Sequence, residues 1–188
     1  MSTLLPILPL DNLLEKEARL SPAARQAEED GYDSVQSHEL KHDPFTPLAF
    51  AALATERVQL VTSVAIAFPR SPMVVANQAW DLHTHSKGRF VLGLGSQVKA
   101  HNERRFSTPW IAPAARLGEY VDSVRAIFRC WEYGEKLTYQ GQYYNFSLMT
   151  PEFSARAIGT VATALKFLLI TVMKFAVPAF LSPCVHSL

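Results

Sequence analysis

The sequence predicts an α/β protein in which strands and helices alternate and the strands form a parallel sheet. Four apolar, β-rich runs start near residues 4, 32, 58 and 89. They therefore recur at intervals of about 30 residues, which is the length of one strand, one helix and their two loops. Apolar strands separated by helices are typical of a parallel sheet that is covered on both faces or closed into a barrel.

The helix boundaries are predicted from proline and glycine. Three helices are expected to begin where a capping side chain directly precedes a proline, because the N–H that proline lacks has no partner in the first helical turn. These pairs are Ser21-Pro22, Asp43-Pro44 and Ser71-Pro72. Gly31 and Gly88 follow the first and third of these helices, predicted over about 22–30 and 72–86, and supply the left-handed stop.

Two further elements follow the fourth strand. Apolar residues recur on one helical stripe between Leu117 and Trp131, which predicts a helix over about 113–131. The run 137–146 alternates aromatic and polar residues around Gly141 and predicts a small hairpin. Four strand–helix units and a hairpin amount to half of an eightfold barrel, which typically has about 250 residues.

The end of the chain is strongly apolar. Lys166 and Lys174 are the only charges between residues 157 and 181. We predict a helix over about 158–180 that covers the exposed end of the half-barrel, in this chain or in a second copy of it, since an open sheet edge and an apolar face must be covered. A membrane span is the alternative, and the two lysines oppose it.

Composition narrows the class of protein. The 188 residues are 48% hydrophobic and 19% charged, with a net charge of +1. This balance excludes a disordered chain and provides no electrostatic basis for binding nucleic acid. Cys130 and Cys184 fit neither a zinc site nor a disulfide framework, and the first residues do not read as a signal peptide. We therefore expect a cytoplasmic protein.

The candidate site lies in the loops that follow the strands, because parallel α/β folds bind ligands at the carboxyl ends of their strands. These loops are residues 37–43, 66–70 and 95–106, and we predict that they line one concave face. His38, Glu39, His42 and Asp43 do not match a metal-ligand spacing, so no metal is expected. The pair Arg104-Arg105 fits either a phosphate site or a solvated loop.

The Gly93-Leu94-Gly95 run has two readings. It resembles the start of a dinucleotide-binding fingerprint, but Val98 stands where the third glycine is required. The alternative is that these glycines allow a ligand or a neighbouring strand to approach the strand end closely.

The same loops resemble the luciferase-like monooxygenase family, in particular its coenzyme F420 (deazaflavin)-dependent oxidoreductase branch. The resemblance runs from about residue 4 to residue 154. The matching stretches are QAEEDGYD (26–33), ELKHDPF (39–45), TSV (62–64), RSPM (70–73), SKGRFVLGLG (86–95), QVKAHNERRF (97–106) and LMTP (148–151).

The resemblance implies a TIM (β/α)8 barrel that holds F420 or reduced flavin (FMN) at the carboxyl ends of its strands. It further implies that hydride transfer takes place at the cofactor ring and that the substrate is a small molecule. Glu39 is expected beside the ring, and the Ser63–Val64 peptide is expected to be cis. The implied cofactor-binding residues are Glu39, Ser63, Val64, Gly95, Ser96, Gln97 and Asn102. The implied catalytic residues are Glu39, His42, Lys99 and His101, with Glu39 and Lys99 in exposed loops.

The resemblance ends near Ser154. It therefore predicts a partial-barrel domain over 1–154, the N-terminal half of the barrel, and a divergent tail over 155–188 that lacks the later strands with the cofactor's phosphate site. The sequence is compatible with two functions. One is an oxidoreductase or monooxygenase of the luciferase-like type, acting as a homodimer that rebuilds a barrel. The other is a truncated, inactive remnant that at most binds flavin or self-associates.

Overall fold

A computed structural model describes residues 7–9, 20–155 and 166–170, with side chains for residues 21–155. The first strands and helices are β1 (Ile7–Pro9), α1 (Leu20–Glu29), β2 (Ser34–Ser37), α2 (Phe45–Ala54), β3 (Gln59–Thr62), β4 (Ala65–Ile66) and α3 (Pro72–His85). They are followed by β5 (Phe90–Gly95), α4 (Lys99–Arg104), α5 (Pro113–Tyr133), β6 (Tyr139–Gln140), β7 (Asn145–Phe146), a 3₁₀ turn (Pro151–Phe153) and β8 (Lys166–Ile170). The predicted alternation of strands and helices is confirmed.

The main sheet is parallel and follows chain order. β1 pairs with β2, β2 with β3, and both β3 and β4 with β5. Leu60 of β3 pairs with Phe90 and Ala65 of β4 pairs with Leu94, so β3 and β4 are two parts of one strand interrupted at residues 63–64. Parallel neighbours in chain order, each joined through a helix, are the topology of a βα-barrel.

The tail contributes a strand where a helix was predicted. Lys166–Ile170 pairs with β5 in parallel, from Val91↔Lys166 to Gly95↔Ile170. The helix prediction is therefore wrong for these residues, and the rest of its range lies outside the described residues. An almost uninterrupted apolar run has no period that separates a helix from a buried strand. The unpaired edge of β5 decides the conformation, because its N–H and C=O groups need partners.

The predicted helix ends are largely confirmed. Asp43 Oδ1 accepts hydrogen bonds from the N–H of Phe45 at 2.9 Å, and Ser71 Oγ accepts from the N–H of Met73 at 3.3 Å. Gly31 and Gly88 both have φ of +84°, the left-handed stop. The cap predicted at Ser21 is wrong, because α1 begins at Leu20; Pro22 still lies in the first turn, where its missing N–H costs nothing.

The core lies between the sheet and the helices. Val35, Leu60 and Leu92 are fully buried in it. Their neighbours Gln36 and Val61, which pair across β2 and β3, are half-buried. One face of the sheet thus packs against helices, while the other retains partial exposure.

Two charged side chains, Glu28 and Arg89, bind backbone groups where the strands of the main sheet begin, the amino end of the sheet. The Glu28 carboxylate accepts hydrogen bonds from the N–H groups of Glu56 (3.0 Å), Arg57 (2.5 Å) and Val58 (2.8 Å). Burial opposes ionisation of this carboxyl group, but the backbone hydrogen bonds outweigh it and hold the pKa of Glu28 below its usual value. Glu28 thereby fixes the start of β3 to the end of α1.

Arg89 has the corresponding role at the start of β5. Its guanidinium donates five hydrogen bonds of 2.8–3.2 Å, to the backbone oxygens of Ala52, Thr55, Val58 and Ser86 and to Thr55 Oγ1. Burial lowers the pKa of Arg89, and attraction to Glu28 and Glu56 counteracts it only in part. Arg89 therefore satisfies the carbonyl groups that α2 leaves open at its C-terminus.

Candidate functional site

The loops that follow the strands meet at one end of the sheet, as predicted. The N–H of Ser63 donates to the Ser37 carbonyl at 2.8 Å, which joins the break in the third strand to the end of β2. Arg105 Nη2 donates to the Leu40 carbonyl at 2.8 Å, which joins the segment after β5 to the loop after β2. The three loops therefore form one surface at the carboxyl ends of the strands.

The break between β3 and β4, at residues 63–64, is fixed by hydrogen bonds to β5. The Ser63–Val64 peptide bond is cis, as the family resemblance implies. Thr62 Oγ1 accepts from the N–H of Gly93 and donates to its carbonyl, both at 2.8 Å. A Cβ at Gly93 would overlap the carbonyl oxygen of Thr62, so this position requires glycine. The close-approach reading of Gly93 is thus the one that the structure favours.

Glu39, in the loop after β2, fixes the same break through a hydrogen bond to the backbone of β4. Its Oε2 accepts a hydrogen bond from the N–H of Ile66 at 2.7 Å and one from Arg70 Nη1 at 2.6 Å. Only 7% of the Glu39 side chain is exposed, so the expectation that it lies in an exposed loop is wrong. The carboxylate is drawn inward because two donors, 27 and 31 positions later in the chain, converge on one of its oxygens.

Arg70 was not among the predicted site residues. Its Nη1 also donates to the Ile66 carbonyl at 3.0 Å, and its Nη2 contacts Asp43 Oδ2 at 3.1 Å. Burial alone would lower the pKa of Arg70, but the carboxylates of Glu39 and Asp43 outweigh it and raise that pKa. The sequence carried one signal for this role: Arg70 directly precedes the cap Ser71 and lies in the loop beside the acidic one.

The segment after β5 was expected to be a loop and contains the short helix α4. Asn102 in this helix is fully buried, and its Nδ2 donates to the carbonyls of Ser96 (2.8 Å) and Val98 (3.1 Å). Ser96 is buried, and Gln97 has φ of +58°. The Asn102 side chain thereby folds residues 96–98 back across the end of β5.

Three predicted catalytic side chains lie at the surface. His42, Lys99 and His101 are exposed, and Lys99 Nζ is 3.9 Å from Glu103 Oε1. Among the contacts of the described residues, none joins these three side chains to Glu39. The structure thus gathers Glu39, Ser63, Val64, Gly95, Ser96, Gln97 and Asn102 around the strand ends and leaves His42, Lys99 and His101 on the outer rim.

Aromatic side chains of α5 and of the β6–β7 hairpin pack together next to the loop 66–70. Tyr120 on α5 is fully buried and makes an edge-on contact with Tyr144, with ring centroids 5.4 Å apart. Burial raises the pKa of Tyr120, so the hydroxyl is neutral. Arg116 donates to Tyr144 Oη at 3.0 Å and lies over the Phe68 ring at 4.4 Å. The hairpin is thereby attached to the loop that carries Arg70.

Residues 7–9, 20–155 and 166–170 contain neither a metal-binding cluster nor a membrane-spanning helix. No group of three or more histidine, cysteine or acidic side chains in this part of the chain is arranged to hold a metal ion. None of its helices combines the length and apolar character needed to cross a membrane.

Comparisons with known proteins give a consistent result. The model of the luciferase-like monooxygenase family matches residues 13–164. An uncharacterized protein of Mycobacterium tuberculosis (strain H37Rv) is 47% identical over 148 residues, 78% of this chain and 44% of that protein. The F420-dependent glucose-6-phosphate dehydrogenase of Intrasporangium calvum is 35% identical over 133 residues, 63% of this chain and 39% of that enzyme.

A solved structure shows the same fold. The monooxygenase RslO1 from Streptomyces bottropensis superposes with a TM-score of 0.69 at 25% identity, covering 86% of this chain and 52% of that one. The chain spans less than half the length of the two relatives and about half of the solved chain. The fold is that of a partial TIM barrel.

Proposed function

Because this chain belongs to the luciferase-like monooxygenase family, we propose that it binds a redox ring cofactor at the carboxyl ends of β2, β4 and β5 and acts as an oxidoreductase on a small molecule. The observation that carries the proposal is the break between β3 and β4. It is held by Thr62 and Gly93 on one side and by Glu39 on the other, at the end of the strands where this fold class binds ligands.

The residues present fit a planar ring with polar edges. The last residues of β5 include Gly93 and Gly95, which leave backbone rather than side chain at the strand end. Ser37 Oγ and Asn102 Oδ1 are buried and have no hydrogen-bond partner among the described residues. Buried polar atoms of this kind need a partner, and a ligand with donor groups would supply it.

The division of chemistry follows from this arrangement. When bound, the cofactor supplies hydride transfer at its ring, and the protein supplies position and charge. Glu39, paired with Arg70, fixes the backbone of the break, and Ser96 and Gln97 lie at the end of β5. His42, Lys99 and His101 on the rim would hold a proton or an anionic group of the substrate.

The two cofactor classes make different predictions. F420 is the first choice, because the relative at 35% identity is named as an F420-dependent enzyme. FMN is the alternative within the same family. Fluorescence titration of the purified chain with each compound decides between them, and the proposal expects saturable binding of one.

A matched pair of variants locates the binding. Glu39→Gln removes the charge at the strand ends, whereas Glu56→Gln removes an exposed charge at the amino end, where the side chain is 75% exposed. We expect the Kd of the cofactor to rise about tenfold in Glu39→Gln, because the break between β3 and β4 loses one charged hydrogen bond that fixes its shape, and to stay unchanged in Glu56→Gln.

Two results would go against the proposal. If neither F420 nor FMN binds to the unmodified chain, the proposed function is wrong. If one binds but the reduced form transfers no hydride to any acceptor tested, the binding site stands and the oxidoreductase activity does not.

A further inference from the structure

We propose that Arg70 is a positioning residue of this site: it fixes the Glu39 carboxylate against the backbone of Ile66, and so sets the shape of the surface on which the ring cofactor lies. The proposal rests on the proposed function and assigns a role to a residue outside the predicted set. Arg70 acts through Glu39 and does not itself have to touch the cofactor.

The Arg70 guanidinium contacts three groups at once. One nitrogen, Nη1, donates both to Glu39 Oε2 (2.6 Å) and to the Ile66 carbonyl (3.0 Å). The other, Nη2, contacts Asp43 Oδ2 at 3.1 Å. A planar guanidinium can hold two carboxylates and a carbonyl at fixed angles, whereas the single ammonium of lysine cannot.

Contacts among Glu39, Arg70 and Ile66 form a closed ring. Arg70 Nη1 and the N–H of Ile66 both donate to the same oxygen of Glu39, and Arg70 Nη1 also donates to the Ile66 carbonyl. Ile66 pairs with Gly95 at the end of β5. The position of the Glu39 carboxylate is therefore linked directly to the pairing that closes the break between β3 and β4.

Asp43 anchors the other terminal nitrogen of Arg70. Asp43 uses Oδ2 for Arg70 and Oδ1 for the N–H groups of Phe45 (2.9 Å) and Thr46 (3.1 Å). Asp43 thus ties Arg70 to the first turn of α2, which is a rigid element. Without Arg70, the loop that carries Glu39 keeps its start at β2, its end at α2 and the direct hydrogen bond from the Ile66 N–H. It loses the guanidinium that holds the Glu39 carboxylate in place for that bond.

The test uses the full chain and two readouts. Hydrogen exchange of the Ile66 amide, in the absence of cofactor, reports on the contact with Glu39. Titration with F420 and with FMN reports on the site. The variants are Arg70→Met, Arg70→Lys and, as a charge-matched control on the outer face of α5, Arg129→Met, whose guanidinium is 3.4 Å from Glu135 and is 53% exposed.

The expected result is a coupled loss. In Arg70→Met the Ile66 amide exchanges at least about tenfold faster and the Kd of the cofactor rises about tenfold, as for one lost charged contact. Arg70→Lys recovers part of both, and Arg129→Met changes neither. The Val58 amide, bound by Glu28 at the other end of the sheet, serves as an internal control and keeps its protection.

Each other outcome overturns the proposal. Unchanged exchange at Ile66 in Arg70→Met would show that Arg70 does not position Glu39. Faster exchange with an unchanged Kd would show that the position of Glu39 is irrelevant to the cofactor. If the unmodified chain binds neither cofactor, the proposed function fails and this proposal fails with it, a result distinct from both others. If Arg70→Met does not fold, Arg70→Lys and Glu39→Gln carry the same test.

Discussion

The two ends of the sheet use charged side chains in different ways. At the amino end, Glu28 accepts from three backbone N–H groups and Arg89 donates to four backbone carbonyls, so the contacts of each run chiefly to the main chain. At the carboxyl end, Glu39 and Asp43 each bind Arg70, and all three also bind the backbone. Charges that satisfy the main chain stabilise the fold, whereas charges held together in loops can present a field to a ligand.

This difference predicts that stability and ligand binding separate along the sheet axis. Substitutions at the amino end should reduce the free energy of unfolding and leave the cofactor Kd unchanged. Substitutions at the carboxyl end should change the Kd more than the stability.

The largest loss of stability is expected for Arg89→Met. The methionine keeps the apolar part of the side chain but leaves the carbonyls at the end of α2 without their donor. The free energy of unfolding should fall by about 3 kcal/mol, since several buried acceptors lose partners together. Urea denaturation measures this, with Arg129→Met as the control. A loss below about 0.5 kcal/mol, typical of a surface site, would contradict the role of Arg89.

A smaller loss is expected at the hairpin, which another carboxylate, that of Glu119, attaches to α5. Glu119 accepts from the N–H groups of Gln142 (2.9 Å), Tyr143 (2.7 Å) and Tyr144 (2.7 Å). Glu119→Gln should cost about 1–2 kcal/mol, because a neutral amide accepts weaker hydrogen bonds. Hydrogen exchange should locate the change at residues 142–144. Equal loss of protection in the sheet would show that the hairpin and the sheet unfold as one unit.

Glu28 predicts a pH dependence of stability. Its pKa in the folded state is lowered from the ordinary 4.5, so the unfolded chain binds more protons at this site. The stabilisation is therefore present above pH 4.5 and is lost as the pH falls through the folded-state pKa. Thermal melts of Glu28→Gln between pH 7 and pH 3 should show a shallower fall in Tm than those of the unmodified chain. Parallel curves would remove Glu28 as the cause.

The smallest effect on stability is expected for Lys99→Ala. Lys99 is exposed, and its ion pair with Glu103, within its own helix, is long at 3.9 Å. The free energy of unfolding should change by less than about 0.5 kcal/mol. A change in substrate turnover without a change in Tm would place Lys99 on the rim of the site, and a large change in Tm would contradict its exposure.

Local signals in the sequence predicted most of the first five strands and their helices. Asp43 and Ser71 cap their helices because capping depends on the next three residues, and Gly31 and Gly88 end theirs for the same local reason. The arrangement of loops at one end followed from the parallel order of the strands. These features need no information about distant residues.

The features that the sequence analysis missed depend on distant partners. The strand Lys166–Ile170 forms because β5, more than 70 residues earlier, offers an open edge. Glu39 is buried because Ile66 and Arg70 donate to it across 27 and 31 positions. A pattern read along the chain cannot show which donor meets which carboxylate, so the residues of the site were predicted through the resemblance and its supporting contacts were not.

The most direct test of the central claim is hydrogen exchange with and without the ring cofactor that binds. If the cofactor lies at the carboxyl ends of the strands, its addition should slow exchange in residues 63–66 and 95–102 and leave the amides of residues 56–58, bound by Glu28, unchanged. Protection confined to the amino end, or spread evenly over the sheet, would contradict the account.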